Sequence, residues 1–114
     1  MDLKRNHPYL ADAIRAGIET GRKHIHGKTF EYHGEEISGA CALGLAYIGE
    51  GVVVAGWSRL HELSRAYPVL YREVSEGMTL QELIVAWNDI DMLPIDEIVS
   101  RTLEFEKRSE SNGV

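Results

Sequence analysis

The run Ser38-Gly39-Ala40-Cys41-Ala42-Leu43-Gly44 constrains this chain more than any other stretch. It carries the single cysteine, flanked by residues small enough for a neighbouring backbone to come close. Whatever packs there packs tightly. The pattern predicts a helix starting at Ser38-Gly39, with Ser38 as its cap and Leu43, Tyr47 and Ile48 on one face. Gly49-Glu50-Gly51 is the expected stop.

The 114 residues are read as one domain, with 1–6 and 106–114 expected to fray. One cysteine excludes an internal disulfide and fits a reducing compartment. No apolar segment of signal-peptide type follows Met1-Asp2-Leu3-Lys4-Arg5. The longest apolar run, Ala40 to Ile48, falls short of the roughly 20 residues a bilayer span requires. The expected location is the cytoplasm, with no membrane partner. The formal net charge is −6, unevenly spread: residues 1–28 balance at +3 and the remainder at −9. An acidic body disfavours nucleic acid, whose phosphates call for clustered Lys and Arg. The basic front reads as a solvated face with some internal pairing.

From Pro8, the residues Leu10, Ala13, Ile14 and Ile18 recur at helical spacing, with Asn6 as the expected cap and a stop near Thr20 or Gly21. The stretch Gly27 to Ile37 reads as a hairpin: Phe30 and Tyr32 alternate with Thr29, Glu31 and His33, and His33-Gly34-Glu35 turns. Val52-Val53-Val54-Ala55 fits a buried strand or an apolar linker equally. Ser58 is the expected cap of a helix carrying Leu60, Leu63 and Ala66, which Pro68 ends. Thr79-Leu80-Gln81-Glu82 is a capping box opening a helix with Leu80, Leu83, Ile84 and Trp87 on its core face. Asn88-Asp89 ends it. Pro94 begins the last helix, with Asp96 and Glu97 in its first turn, and the sequence turns polar from Glu104. The fold class is mostly α (α+β): about five helices with one short β-hairpin inserted after the first.

Cys41 is the one strong nucleophile available. A helix N-terminus favours its thiolate, and a catalytic role also requires a base oriented by a third group, for which His33, His26 and Asp89 or Asn88 are the candidates. The alternative role is that of a small buried apolar residue. His24-Ile25-His26 would share a strand face, and with His33 across a hairpin would make an open zinc site. Lys23 and Lys28 beside the pair disfavour a dication, and no metal is expected. The run Asn88-Asp89-Ile90-Asp91 fails as a calcium loop, because counting from Asp89 the required Gly and Glu positions hold Pro94 and Ser100. Its expected role is to tie one helix to the next through side-chain-to-backbone bonds. No glycine-rich phosphate cradle is present, and no cofactor is expected.

Cys41-Ala42-Leu43-Gly44, Trp87-Asn88-Asp89 and Asp96-Glu97-Ile98 together make the chain resemble a family of small uncharacterised bacterial and bacteriophage proteins. In that family an N-terminal helix leads to a short hairpin, a Cys-Ala-Leu-Gly-Ala run and a Trp/Leu-Asn-Asp segment before an acidic last helix. Leu45 stands where the family usually has Ala, and Pro94 where Ser or Thr often caps the final helix. The resemblance spans roughly residues 8–105. It implies a common fold and a phage or mobile-element context, and it carries no activity.

These features favour a small acidic interaction protein that acts by binding another protein, with Trp57, Tyr67 and Tyr71 as contact residues. Mimicry of DNA by the acidic surface is a sub-case. The same aromatics, or the small face of the cysteine helix, would serve a homodimer. The alternative is a small hydrolase or transferase with Cys41 as nucleophile and His33 or His26 as base.

Overall fold

The computed structural model describes residues 5–51 and 61–112. Val52–Ala55, Trp57, Ser58 and Leu60 lie outside the described residues. Within them the fold is α+β and mostly helical, as the periodicities imply.

Helix α1 (Leu10–Glu19) packs along α2 (Ala42–Gly49), and two glycines set how closely. A Cβ on Gly17 would lie 1.9 Å from the Leu45 carbonyl oxygen, and one on Gly49 would lie 1.9 Å from that of Ala13. Each helix thus offers the other a notch at backbone level. α2 is the central element: every residue from Ala42 to Ile48 is buried, so no single face of it is the inner one. This departs from the expected one-sided stripe, because sheet, α1 and α4 all contact this short helix.

The hairpin is present as β2 (Phe30–His33) and β3 (Glu36–Ala40), antiparallel, turning through Gly34 at φ +67°. The register skips Ser38 of β3 between the Glu31 and Tyr32 pairs. Phe30 and Tyr32 keep to one side of β2, ring centroids 6.5 Å apart, but Phe30 is buried and Tyr32, nearer the turn, is 48% exposed. A two-residue strand, β1 (Lys23–His24), adds to β3 in parallel, giving the order β1-β3-β2. β3 runs on through Gly39 and Ala40, which pair with both neighbouring strands. The cysteine helix therefore starts later than the sequence suggests. Cys41 is its N-cap, and Ser38, the expected cap, instead donates to the Glu31 carbonyl oxygen.

Helix α3 (His61–Ala66) ends before Pro68, which opens a 3-10 helix (Pro68–Tyr71). A small hairpin follows, β4 (Glu73–Ser75) and β5 (Met78–Thr79), turning at Glu76-Gly77. The Thr79–Glu82 capping box is present in full and opens α4 (Leu80–Asp89). Its Trp87 stacks on Phe105 of α5 (Ile95–Asn112), with ring centroids 5.8 Å apart.

Where the sequence suggests fraying from residue 106, α5 is helical through Asn112, the last described residue. Glu106 ties this part of the helix to α1. Its carboxylate is buried and accepts the Leu10 amide at 2.6 Å and the Ala11 amide at 2.9 Å. Those are orphan donors of α1, whose own N-cap position, Tyr9, provides no side-chain bond. Asn6, expected as the cap, instead gives its backbone amide to Glu50 at 2.8 Å. Burial pushes the Glu106 carboxyl above its ordinary value, and the two amides oppose that shift.

Gly17→Ala should destabilise the fold by at least about 1–3 kcal/mol, since a helix backbone would have to move. Gly34→Ala, with open space around its Cβ position, should cost only the left-handed conformation, about 1–2 kcal/mol. Urea denaturation of the two variants checks the order. Equal stability of Gly17→Ala and the parent would contradict the close crossing.

Candidate functional site

The cysteine run and the Trp-Asn-Asp segment, far apart in sequence, meet in space. Asn88, in the last turn of α4, is 2% exposed. Its Oδ1 accepts the backbone amide of Ala42 at 3.0 Å, which is the first amide of the cysteine helix. The same oxygen lies 2.6 Å from His24 Nε2. Its Nδ2 donates to the Ile25 carbonyl oxygen at 3.0 Å and to Asp89 Oδ1 at 2.7 Å. Asp89 Oδ1 in turn accepts the Gly27 amide at 2.8 Å, and the Asn88 carbonyl oxygen lies 2.5 Å from His26 Nδ1. Asn88 and Asp89 together thus knit the 24–27 segment, the start of α2 and the end of α4.

Acceptor chemistry fixes the ring protons. The Asn88 Oδ1 cannot donate, so His24 Nε2 carries the hydrogen and Nδ1 is the basic nitrogen. The Asn88 carbonyl likewise requires the hydrogen on His26 Nδ1. The two rings pack edge to face, with centroids 4.8 Å apart. Burial holds the His24 imidazole below its ordinary value. The Asn88 hydrogen bond opposes that shift, His26 adds to it, and Asp89 opposes it.

Cys41 is half-buried at the entrance to α2. Burial raises its thiol above the usual value. The amides of Gly44 and Leu43 face the sulfur and favour the thiolate without closing a side-chain cap hydrogen bond, and Asp89 disfavours it. Desolvation is the largest effect, so the thiol is protonated at neutral pH. Among the described residues no hydrogen bond joins the sulfur to a ring nitrogen.

Of the bases named from sequence, His26 reaches this cluster and His33 does not. His33 sits exposed beside the hairpin turn. His24, which the catalytic reading passed over, and Asn88, which it named as a candidate, are the central pair. The His24-Ile25-His26 spacing and the capping role of Asn88-Asp89 were the signals for them. Among the described residues no group of three His, Cys, Asp or Glu side chains could hold a metal ion. No described helix is long and apolar enough to cross a membrane. Tyr67, expected as a contact residue, is 0% exposed: its hydroxyl bonds the buried Glu50 carboxylate and Arg5 covers its ring at 4.7 Å. Tyr71 is 61% exposed.

The cluster also fixes the corner after α4. The Ala86 carbonyl oxygen takes the amides of Ile90 and Asp91 at 2.9 and 3.0 Å, and that of Trp87 takes Leu93 at 2.9 Å. With the Asn88 carbonyl on His26, three of the four closing carbonyls of the helix have partners. Met92 is held left-handed at φ +50°, a strain of about 1–2 kcal/mol that firm neighbours must sustain. Ile90 and Met92 project from this corner, 78% and 59% exposed.

Comparison with known protein families, curated proteins and solved structures gives no match to this chain.

Asn88→Ala should strand the Ala42 amide and the Ile25 carbonyl, costing roughly 3 kcal/mol or more at about 1–3 kcal/mol per orphaned buried group. Asn88→Asp should cost much of this too, since a carboxylate cannot donate to Ile25. Denaturation curves check both. Parent-like stability for Asn88→Ala would mean the carboxamide is not the tie described.

Proposed function

We propose that this chain acts by binding another protein, and that the corner joining α4 to α5 is the contact surface. The observation that carries the reading is the exposure of Ile90 and Met92 on a connector whose backbone is held by the Ala86 and Trp87 carbonyls at the end of α4. Single exposed apolar residues need no explanation. Here two stand two positions apart on a backbone that includes a strained, left-handed residue. A fixed apolar knob loses little conformational freedom on docking, which favours its use as an anchor. Asp89, Asp91, Asp96 and Glu97 stand near it in sequence and are exposed, giving the knob an acidic rim. The resemblance to small bacterial and bacteriophage proteins makes a bacterial lysate the source in which to seek the partner.

Ile90→Asp combined with Met92→Asp should leave the melting temperature within a few degrees of the parent, because neither side chain is in the core. The same variant should lose a lysate protein that the parent captures. Identical capture by both chains would defeat the reading. Sedimentation of the parent alone tests whether the anchor meets a second copy.

The second reading, a Cys41-dependent hydrolase or transferase, draws on the shared Asn88 Oδ1, which brings the His24 ring to the N-terminus of the cysteine helix. Its base would be His24 through Nδ1 rather than His33. The raised thiol value argues the other way. Iodoacetamide alkylation should therefore be slower than for a free thiol throughout pH 6–9, and should climb as pH rises toward the thiol value. Fast alkylation near pH 7 that is lost in His24→Ala would instead support the enzyme.

A further inference from the structure

A cleft of about 460 Å³ opens between the segment before α1, the 3-10 helix and the last turns of α5. None of its lining residues belongs to the Asn88 cluster or to the α4–α5 corner. Its volume falls in the range of about 300–1,000 Å³ usual for small-ligand clefts.

Arg5 and Arg72 line it together with Glu106 and Glu110. Among the described residues no ion pair joins either guanidinium to either carboxylate. Two of the four charges are largely committed elsewhere. Both Glu106 oxygens hold the first amides of α1. Arg5 donates from Nε and Nη2 to the carbonyls of His7 and Pro8 and lies over the Tyr67 ring. The other two are mostly open. Arg72 makes one bond, from Nη1 to Ser109 Oγ at 2.7 Å, which leaves most of its planar fork available. Glu110 accepts the Tyr9 hydroxyl through Oε2 at 2.6 Å, which leaves Oε1 available. Pro8, Pro68 and Val69 supply apolar wall.

Opposite charges that share a cleft without pairing match a ligand carrying both. We propose that this cleft binds a small zwitterion of amino-acid or dipeptide size. Its carboxylate lies on the Arg72 fork, with Arg5 adding positive potential, and its ammonium lies at Glu110. Its side chain rests on the proline and valine wall. A polyanion such as a nucleotide fits less well, because two carboxylates line the same cleft.

The test is a titration of the whole isotope-labelled chain with the dipeptide Gly-Leu, followed by amide chemical shifts. Its N-acetyl and C-amide forms and inorganic phosphate are run alongside. Saturable shifts confined to residues 5–9, 68–72 and 106–110 are expected with the free dipeptide. Blocking either end should weaken binding at least about tenfold. Arg72→Ala should abolish the shifts at an unchanged melting temperature, and Glu110→Gln should erase the preference for the free amine over the N-acetyl form. The proposal is overturned if no saturable shift arises up to about 20 mM dipeptide, a concentration at which even a millimolar site would fill. Equal binding of the blocked forms, unchanged binding by Arg72→Ala, or the same response to phosphate would overturn it too. The Ile90/Met92 double variant should bind the dipeptide like the parent, so this result and the protein-binding result fail separately.

Discussion

The Asn88 carboxamide is the tie on which the arrangement of this fold depends. A carboxamide has two donor hydrogens and two acceptor lone pairs, and here all four are used, within a buried site. Its partners lie on three segments: the 24–27 loop, the start of α2 and the end of α4. Sliding α4 by one residue would strand several buried polar groups at once, each at a cost of about 1–3 kcal/mol. Apolar packing alone specifies such a register weakly, since many hydrophobic surfaces fit one another about equally well. The carboxamide selects one.

Two buried carboxylates do comparable work at the start of the chain. Glu50, just after α2, takes the Asn6 amide, the His7 ring at 3.1 Å and the Tyr67 hydroxyl. Glu106 takes two amides of α1. The basic front of the sequence therefore meets the acidic body mainly through backbone donors and one histidine, with Arg5 spread over an aromatic ring. Hydrogen bonds to a buried carboxylate are directional, whereas exposed ion pairs such as Arg101–Glu97 and Arg108–Glu104 add little. The uneven charge along the chain thus becomes a set of specific clamps.

What the sequence revealed follows from the range of each interaction. The Thr79–Glu82 capping box was legible because both partners lie within one turn. The hairpin was legible from alternation and Gly34. The exposure of Tyr32 was not, because alternation tells which side of a strand a residue is on and not how far the core reaches beneath it. β1 has only two residues, too few for any periodicity, and its pairing with β3 displaced the start of the cysteine helix. The length of α5 was hidden for a different reason. Its polar end reads as a solvated tail unless Glu106 is known to face the amides of Leu10 and Ala11. Likewise, a basic loop around His24 and His26 gives no local hint that both rings turn toward Asn88.

Both helices that form the central crossing lack a local side-chain cap. Tyr9 precedes α1 and Cys41 precedes α2, and neither side chain closes a capping bond. Serine would cap α2 better than cysteine does, since its oxygen is the stronger acceptor. The caps come instead from the far end of the chain: Glu106 for α1, and Asn88 for α2. An isolated helix of eight or ten residues is marginal in water even with good caps. These two gain theirs only once α4 and α5 have docked. Helix formation and tertiary assembly are then a single step, so an opened α2 lacks both its cap and its packing. The thiol of Cys41 stays shielded for the same reason. The segment that would have to open to expose it is tied by Asn88 to the corner that holds Ile90 and Met92 in place.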